Sequence, residues 1–179
     1  MIQTEQTVLI HTGIGEAWDF ARDIRRWAGL VPGMQSCDVI DDDNSRWVVK
    51  VGVGGLVRTV TAEVNVSRWD EPGAVDFTYK LKGDPVTGGG TYRAQPVEGG
   101  TEVALALRVE GTGPMAPMWE AMGRPLLPQL AKAFAAQLKA GIEQAAGAQP
   151  AVNAAPKRSL WAIIRAWLGK LLGKGAQTP

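Results

Sequence analysis

His11 is the only histidine of the chain and Cys37 its only cysteine. A Ser-His-Asp or Cys-His relay would have to run through His11 with partners distant in sequence. A metal centre built on several His or Cys ligands has no material, and none is expected. Cys37 is expected to be a free, buried thiol, since one cysteine cannot close an intramolecular disulfide. Asp41, Asp42, Asp43 and Asn44 gather hard oxygen ligands, but the glycine and glutamate spacing of a calcium loop is missing. A solvated hairpin tip is the better reading. Gly88, Gly89 and Gly90 lack a following Lys-Ser/Thr and do not open a helix. They point to a bulge or a close backbone approach at a strand start, not to a phosphate cradle. Paired carboxylates for acid–base work are not evident. Should the chain be an enzyme, Tyr79, Tyr92 and His11 are the groups that could polarise a bound substrate.

The elements that would position these groups are legible from periodicity. Leu126, Leu130, Phe134, Leu138 and Ile142 recur every four residues with Leu127 beside them. Lys132, Lys139 and Glu143 fall off that stripe. This predicts one long amphipathic helix over residues 125–145 with a single buried face. Pro125 and Pro128 suit its first turn, where a missing N–H costs nothing; an earlier start would let Pro128 kink it. Residues 4–10 read as a first strand. Trp18, Ala21, Ile24 and Trp27 then have helical spacing up to Pro32-Gly33, so two short helices are expected. Six strand signals follow, over residues 36–40, 46–53, 60–67, 75–82, 88–97 and 103–109. Alternation is clear at Trp47, Val49, Val51 and Val53, and again at Val75, Phe77, Tyr79 and Leu81. Such period-two hairpins predict an antiparallel meander, apolar on one face and wet on the other. Arg58, Arg68, Arg93 and Arg108 are read as solvation of the wet face. A lone long helix after such strands must bury its stripe on their sheet. The class is therefore α+β.

Charge is distributed unevenly. No Asp or Glu follows Glu143, while Lys157, Arg158, Arg165, Lys170 and Lys174 do, so a net acidic body carries a basic tail. An acidic body argues against a nucleic-acid surface. The N-terminus shows no signal-peptide pattern, and no run reaches the ~18 apolar residues of a membrane span. Residues 146–156 are small and uncharged with two prolines, and residues 146–157 read as a flexible linker of roughly 35 Å reach. Residues 158–175 read as an amphipathic helix. Leu160, Trp161, Ile163, Ile164, Trp167, Leu168, Leu171 and Leu172 take one half of its circumference, with Arg165 and Lys170 on the other. Two tryptophans, cations and no acids describe a helix lying in an anionic membrane interface. The alternative is docking on the body or on a partner protein. The expected location is peripheral, on the cytoplasmic face of the cell membrane.

The order of these elements is that of the helix-grip (START, Bet v 1-like) fold. Within it the chain resembles the CoxG family of carbon monoxide dehydrogenase accessory proteins. The matching stretches are Ala17-Trp18 with Asp23, Leu30-Val31-Pro32-Gly33, Lys50-Val51-Gly52-Val53-Gly54, and Val109-Glu110-Gly111. The match covers roughly residues 2–145, and the order and spacing of the motifs carry it. The family often places Cys directly after Pro-Gly, where this chain has Met34. The resemblance implies a hydrophobic-ligand protein serving a molybdenum-containing CO dehydrogenase, with respiratory quinone, menaquinone or ubiquinone, as the ligand. No covalent cofactor is implied; a non-covalent quinone or other lipid is. The fold would then make residues 1–145 a ligand-binding domain. Its expected cavity residues are Trp27, Leu30, Trp47, Val49, Val51, Val64, Phe77, Tyr79, Tyr92, Leu105 and Leu107 on the sheet side. Met115, Met118, Met122, Leu127, Leu130 and Phe134 are expected opposite them. Methionines suit a surface that adapts to a flexible apolar tail. Two other readings stay open: a cyclase- or hydratase-like enzyme, and a membrane-recruiting assembly adaptor with a solid core.

Overall fold

The computed structural model describes residues 1–53 and 56–147. The amphipathic segment read at 158–175 lies outside the described residues. Seven strands form one antiparallel sheet: β1 (Ile2–Ile10), β2 (Met34–Val39), β3 (Asn44–Val53), β4 (Leu56–Asp70), β5 (Ala74–Leu81), β6 (Val86–Val97) and β7 (Gly100–Gly111). The spatial order is β1-β7-β6-β5-β4-β3-β2, so β2 to β7 form a meander and β1 pairs with β7. Two short helices, α1 (Ile14–Ala21) and α2 (Ile24–Ala28), join β1 to β2, and α3 (Ala116–Ala145) follows the sheet. This is the helix-grip architecture expected from the element order. Among the described residues no helix is long and apolar enough to cross a membrane.

Local chemistry accounts for the joints. Asp23 caps α2 by accepting a hydrogen bond from the Arg25 backbone N–H at 3.0 Å. Gly33 then turns the chain with φ of 84°. A Cβ there would lie 2.0 Å from the Lys50 carbonyl oxygen, so only glycine fits between α2 and β3. The acidic tip is a hairpin turn, as read. The Asp41 carboxylate accepts from the backbone N–H groups of Asp43 and Asn44 at 2.9 and 2.7 Å. Those bonds hold its pKa below the usual range.

Helix α3 begins nine residues before the expected start at Pro125 and carries Pro125 and Pro128 inside it. Its apolar stripe continues upstream through Trp119, Met122 and Leu126, at helical spacing, and Trp119 is buried. Interior prolines cost on the order of 3 kcal/mol each. Burial of Trp119 and partial burial of Met122 offset part of that cost, at roughly 1.5–3 kcal/mol for a fully buried large side chain. Leu138 and Ile142, at 2 % and 0 % exposure, seat its C-terminal half.

Glu143 falls off the apolar stripe and is nevertheless buried. Its Oε1 accepts from the His11 backbone N–H at 2.8 Å and from Lys139 Nζ at 2.5 Å, with His11 Nδ1 at 2.9 Å. Lys139 also donates to the Leu9 carbonyl at 2.5 Å. The end of β1 leaves an N–H without a ladder partner, and Glu143 supplies the acceptor. Burial pushes the Glu143 pKa up, but bonds from Lys139 and from the backbone and ring of His11 outweigh it and hold it low.

A carboxylate with a lowered folded-state pKa contributes stability fully present above its unfolded value of about 4.3, and lost as pH falls through the folded value. Glu143→Gln is expected to lower stability by about 1–3 kcal/mol near neutral pH. The gap from wild type should narrow as pH approaches about 3, read by denaturant unfolding at each pH.

Candidate functional site: a cavity under the long helix

Between the sheet and α3 lies a cavity of about 270 Å³. Strand alternation builds its floor. Trp47, Val49 and Val51 come from β3, Val60, Ala62 and Val64 from β4, and Val75, Phe77, Tyr79 and Leu81 from β5. Val86 and Tyr92 come from β6, and Leu105, Leu107 and Val109 from β7. The roof is α3, through Trp119, Met122, Gly123, Leu126, Leu127, Leu130, Ala131, Phe134 and Leu138. Ala21, Trp27, Val31 and Pro32, from α1, α2 and the turn that follows, complete the lining.

Small residues keep the space open. A Cβ on Gly88 would stand 2.4 Å from the Tyr79 ring, and one on Gly90 would stand 2.7 Å from the Phe77 ring. The two aromatic rings therefore lie flat on bare β6 backbone and leave the middle clear. On the helix side Ala131 lines the cavity with only a methyl group, and Gly123 lets α3 approach β1, where a Cβ would stand 2.9 Å from Ile2. The glycine run is thus a close-approach device, as its sequence context implies.

Aromatic packing shapes the lining around Trp27. The Trp27 ring meets Trp47 edge-on at 5.0 Å and lies 5.8 Å from Phe77. At the start of α3, Arg58 donates to both oxygens of Asp84 at 2.8 and 2.9 Å, and its guanidinium sits 5.2 Å from the Trp119 ring centre. Arg58, read as a solvating residue, instead ties β4 and the β5–β6 turn to the cavity wall at Trp119.

Few polar groups reach this space. Trp47 Nε1 donates to the buried Ser45 Oγ at 2.9 Å, and the Tyr79 hydroxyl donates to the Arg108 carbonyl at 3.2 Å. Trp27 Nε1 and the Tyr92 hydroxyl are buried with no partner among the described residues. Burial pushes the Tyr92 pKa up to about 12 and raises that of Tyr79 as well, so both phenols are neutral at physiological pH. Each orphaned donor costs on the order of 1–3 kcal/mol until something pairs with it. Among the described residues there is no cluster of three metal-ligating side chains.

The structure brings fourteen of the seventeen expected cavity residues to the lining: Trp27, Trp47, Val49, Val51, Val64, Phe77, Tyr79, Tyr92, Leu105, Leu107, Met122, Leu127, Leu130 and Phe134. It places the other three elsewhere. Met115 and Met118 are about half exposed, because the helix begins beside them and turns them outward. Leu30 packs near Gly141 of α3, outside the lining. His11 serves the Glu143 cluster and does not line the cavity. Sequence reasoning misses Trp119 and Gly123 together with the true start of α3; Val60, Ala62 and Val75 share the alternation of residues it does name. Cys37 is a free, half-buried thiol whose pKa burial raises against the opposing charge of Arg25, which disfavours the reactive thiolate. A Cβ on Gly90 would also stand 2.5 Å from the Ala106 carbonyl oxygen, so Gly90→Ala is expected to cost about 1–3 kcal/mol by overpacking β6 against β7 and Phe77, measured by denaturant unfolding.

The family model for polyketide cyclase / dehydrase and lipid transport matches residues 1–143. No curated protein sequence matches the chain. Among solved structures, a conserved protein from Geobacillus kaustophilus superposes with a TM-score of 0.69 at 16 % identity, covering 80 % of this chain and 96 % of that one. A protein from Thermus thermophilus gives 0.62 at 17 %, covering 80 % and 99 %. The Zhui aromatase/cyclase from Streptomyces sp. R1128 gives 0.58 at 15 %, covering 85 % and 98 %. At these identities the structures share the fold. The seven-stranded sheet, the long C-terminal helix and the apolar cavity between them agree with the family match, and the chain belongs to the polyketide cyclase / dehydrase and lipid transport family.

Proposed function

We propose that this protein is a membrane-tethered carrier that holds a respiratory quinone in the cavity and presents it to a molybdenum-containing CO dehydrogenase. The observation that carries the reading is the cavity itself: about 270 Å³ of almost wholly apolar space. An apolar molecule gains roughly 25 cal/mol per Å² on entering it from water. Lipid transport in the family description supports the carrier class. The short motifs shared with the CoxG family support the choice of quinone and of partner. The basic, acid-free segment at 158–175 with Trp161 and Trp167 supports a tether to the bilayer where quinone dissolves.

A second reading is a cyclase-like enzyme on the same fold. The observation in its favour is the neutral Tyr92 hydroxyl in the cavity, unpartnered among the described residues, which could polarise a substrate carbonyl. Turnover of a polyketide-like substrate that disappears in Tyr92→Phe would favour this reading over the carrier.

Trp27, Trp47 and Trp119 line the cavity, so a bound quinone should quench their fluorescence. Titrating the full chain with 2-methyl-1,4-naphthoquinone is expected to give saturable one-to-one quenching. Ala131 is 1 % exposed and lines the cavity, and Ala131→Phe should weaken that binding about tenfold or more by filling the space. Deleting residues 147–179 should leave quinone binding intact and abolish co-sedimentation with vesicles containing anionic lipid. Vesicle binding retained after the deletion would contradict the tether; no quenching by the full chain would contradict the carrier.

A further inference from the structure

We propose that Trp27 and Tyr92 form a two-donor head-group subsite that recognises the oxidation state of the ligand, taking the quinone and disfavouring the quinol. The inference rests on the carrier reading and adds to it the chemistry of recognition. Both side chains line the cavity, at 8 % and 6 % exposure, and both carry a buried polar atom with no partner among the described residues. Phe77 relates their positions. The Trp27 ring rests 5.8 Å from Phe77, and Phe77 pairs with Gly90, two residues from Tyr92 on the same face of β6. The Trp47 and Tyr79 donors are already engaged with Ser45 and Arg108. Thr91 also borders the cavity; it alternates with Tyr92 along β6, so strand geometry turns its side chain toward the other face and leaves its backbone to the lining.

The indole N–H is a donor only, and the phenol can donate as well. A quinone offers two carbonyl oxygens, acceptors with no hydrogen of their own. Each can relieve one orphaned donor, and no new orphan arises. Reduction adds two electrons, from the partner dehydrogenase, and two protons, from water, and turns both carbonyls into hydroxyls. Each hydroxyl brings a hydrogen that needs an acceptor. Trp27 supplies none, and the Tyr92 oxygen can accept only one. Within the Trp27 and Tyr92 pair the quinol therefore leaves at least one hydroxyl hydrogen without an acceptor, a penalty equivalent to roughly tenfold or more in affinity. A carrier built this way loads the oxidised ligand and loosens its hold once that ligand has been reduced. Each tenfold of selectivity lowers the potential of the bound two-electron couple by about 30 mV.

The test uses the full chain under anaerobic conditions, with binding read by equilibrium dialysis. The probes are 2-methyl-1,4-naphthoquinone, its quinol, and 2-methylnaphthalene, which keeps the bicyclic shape without oxygens. The expected result is about tenfold or greater preference for the quinone over both others. Tyr92→Phe and Trp27→Phe should each lose about three- to tenfold in quinone affinity and leave naphthalene binding little changed. Quinol binding as tight as quinone binding, or a Tyr92→Phe variant with its preference intact, overturns the subsite and leaves the carrier reading standing. Failure of all three probes to bind overturns the subsite and the carrier reading together.

Discussion

Helix α3 is fastened at its two ends, and the cavity depends on that arrangement. At the C-terminal end the buried Glu143 joins Lys139 and the end of β1 at His11. At the N-terminal end Arg58 bridges Asp84 and the Trp119 ring, and the amino terminus pairs with Glu120 at 2.7 Å. Between these anchors α3 packs on β1 and β7, and it faces β4, β5 and β6 across open space. A helix held along its whole length would settle onto the sheet, since apolar surfaces close on one another unless something holds them apart. Here bare backbone at Gly88 and Gly90 lets two rings lie flat, and small residues on α3 add no bulk.

Much of this is legible in the residues alone. The alternation in β3, β4, β5 and β7 and the four-residue stripe of α3 are direct consequences of burying one face, so periodicity reports them. The start of α3 escapes sequence reasoning because Pro125 and Pro128 imitate a helix beginning, while the deciding information, burial of Trp119, is tertiary. Glu143 escapes it for a related reason. Periodicity sorts polar from apolar positions, but it cannot show that the end of β1 has an N–H in need of an acceptor. The resemblance to the helix-grip fold puts Met115 and Met118 inside the cavity, and the backbone turns them out. Arg58 looks like any other strand arginine; its partners come from a turn and a helix distant in sequence.

Polar groups in the cavity are sparse, and that sets what the site can do. Trp47 and Tyr79 satisfy their donors within the protein, which stiffens the walls. Trp27 and Tyr92 do not among the described residues, which keeps a recognition function available. The apolar bulk supplies affinity with little direction, and two donors supply direction with little net affinity. That division of labour suits a receptacle for a largely apolar molecule with a small polar group. The family to which the chain belongs spans cyclases and lipid carriers, and the same fold serves both; the difference lies in what a bound molecule meets in the cavity.

The most direct measurement is mass spectrometry of the apolar extract from protein purified out of its own host without detergent. The account predicts a respiratory quinone in near-stoichiometric amount. An extract holding only phospholipid, or nothing at all, from protein that remains folded would contradict it.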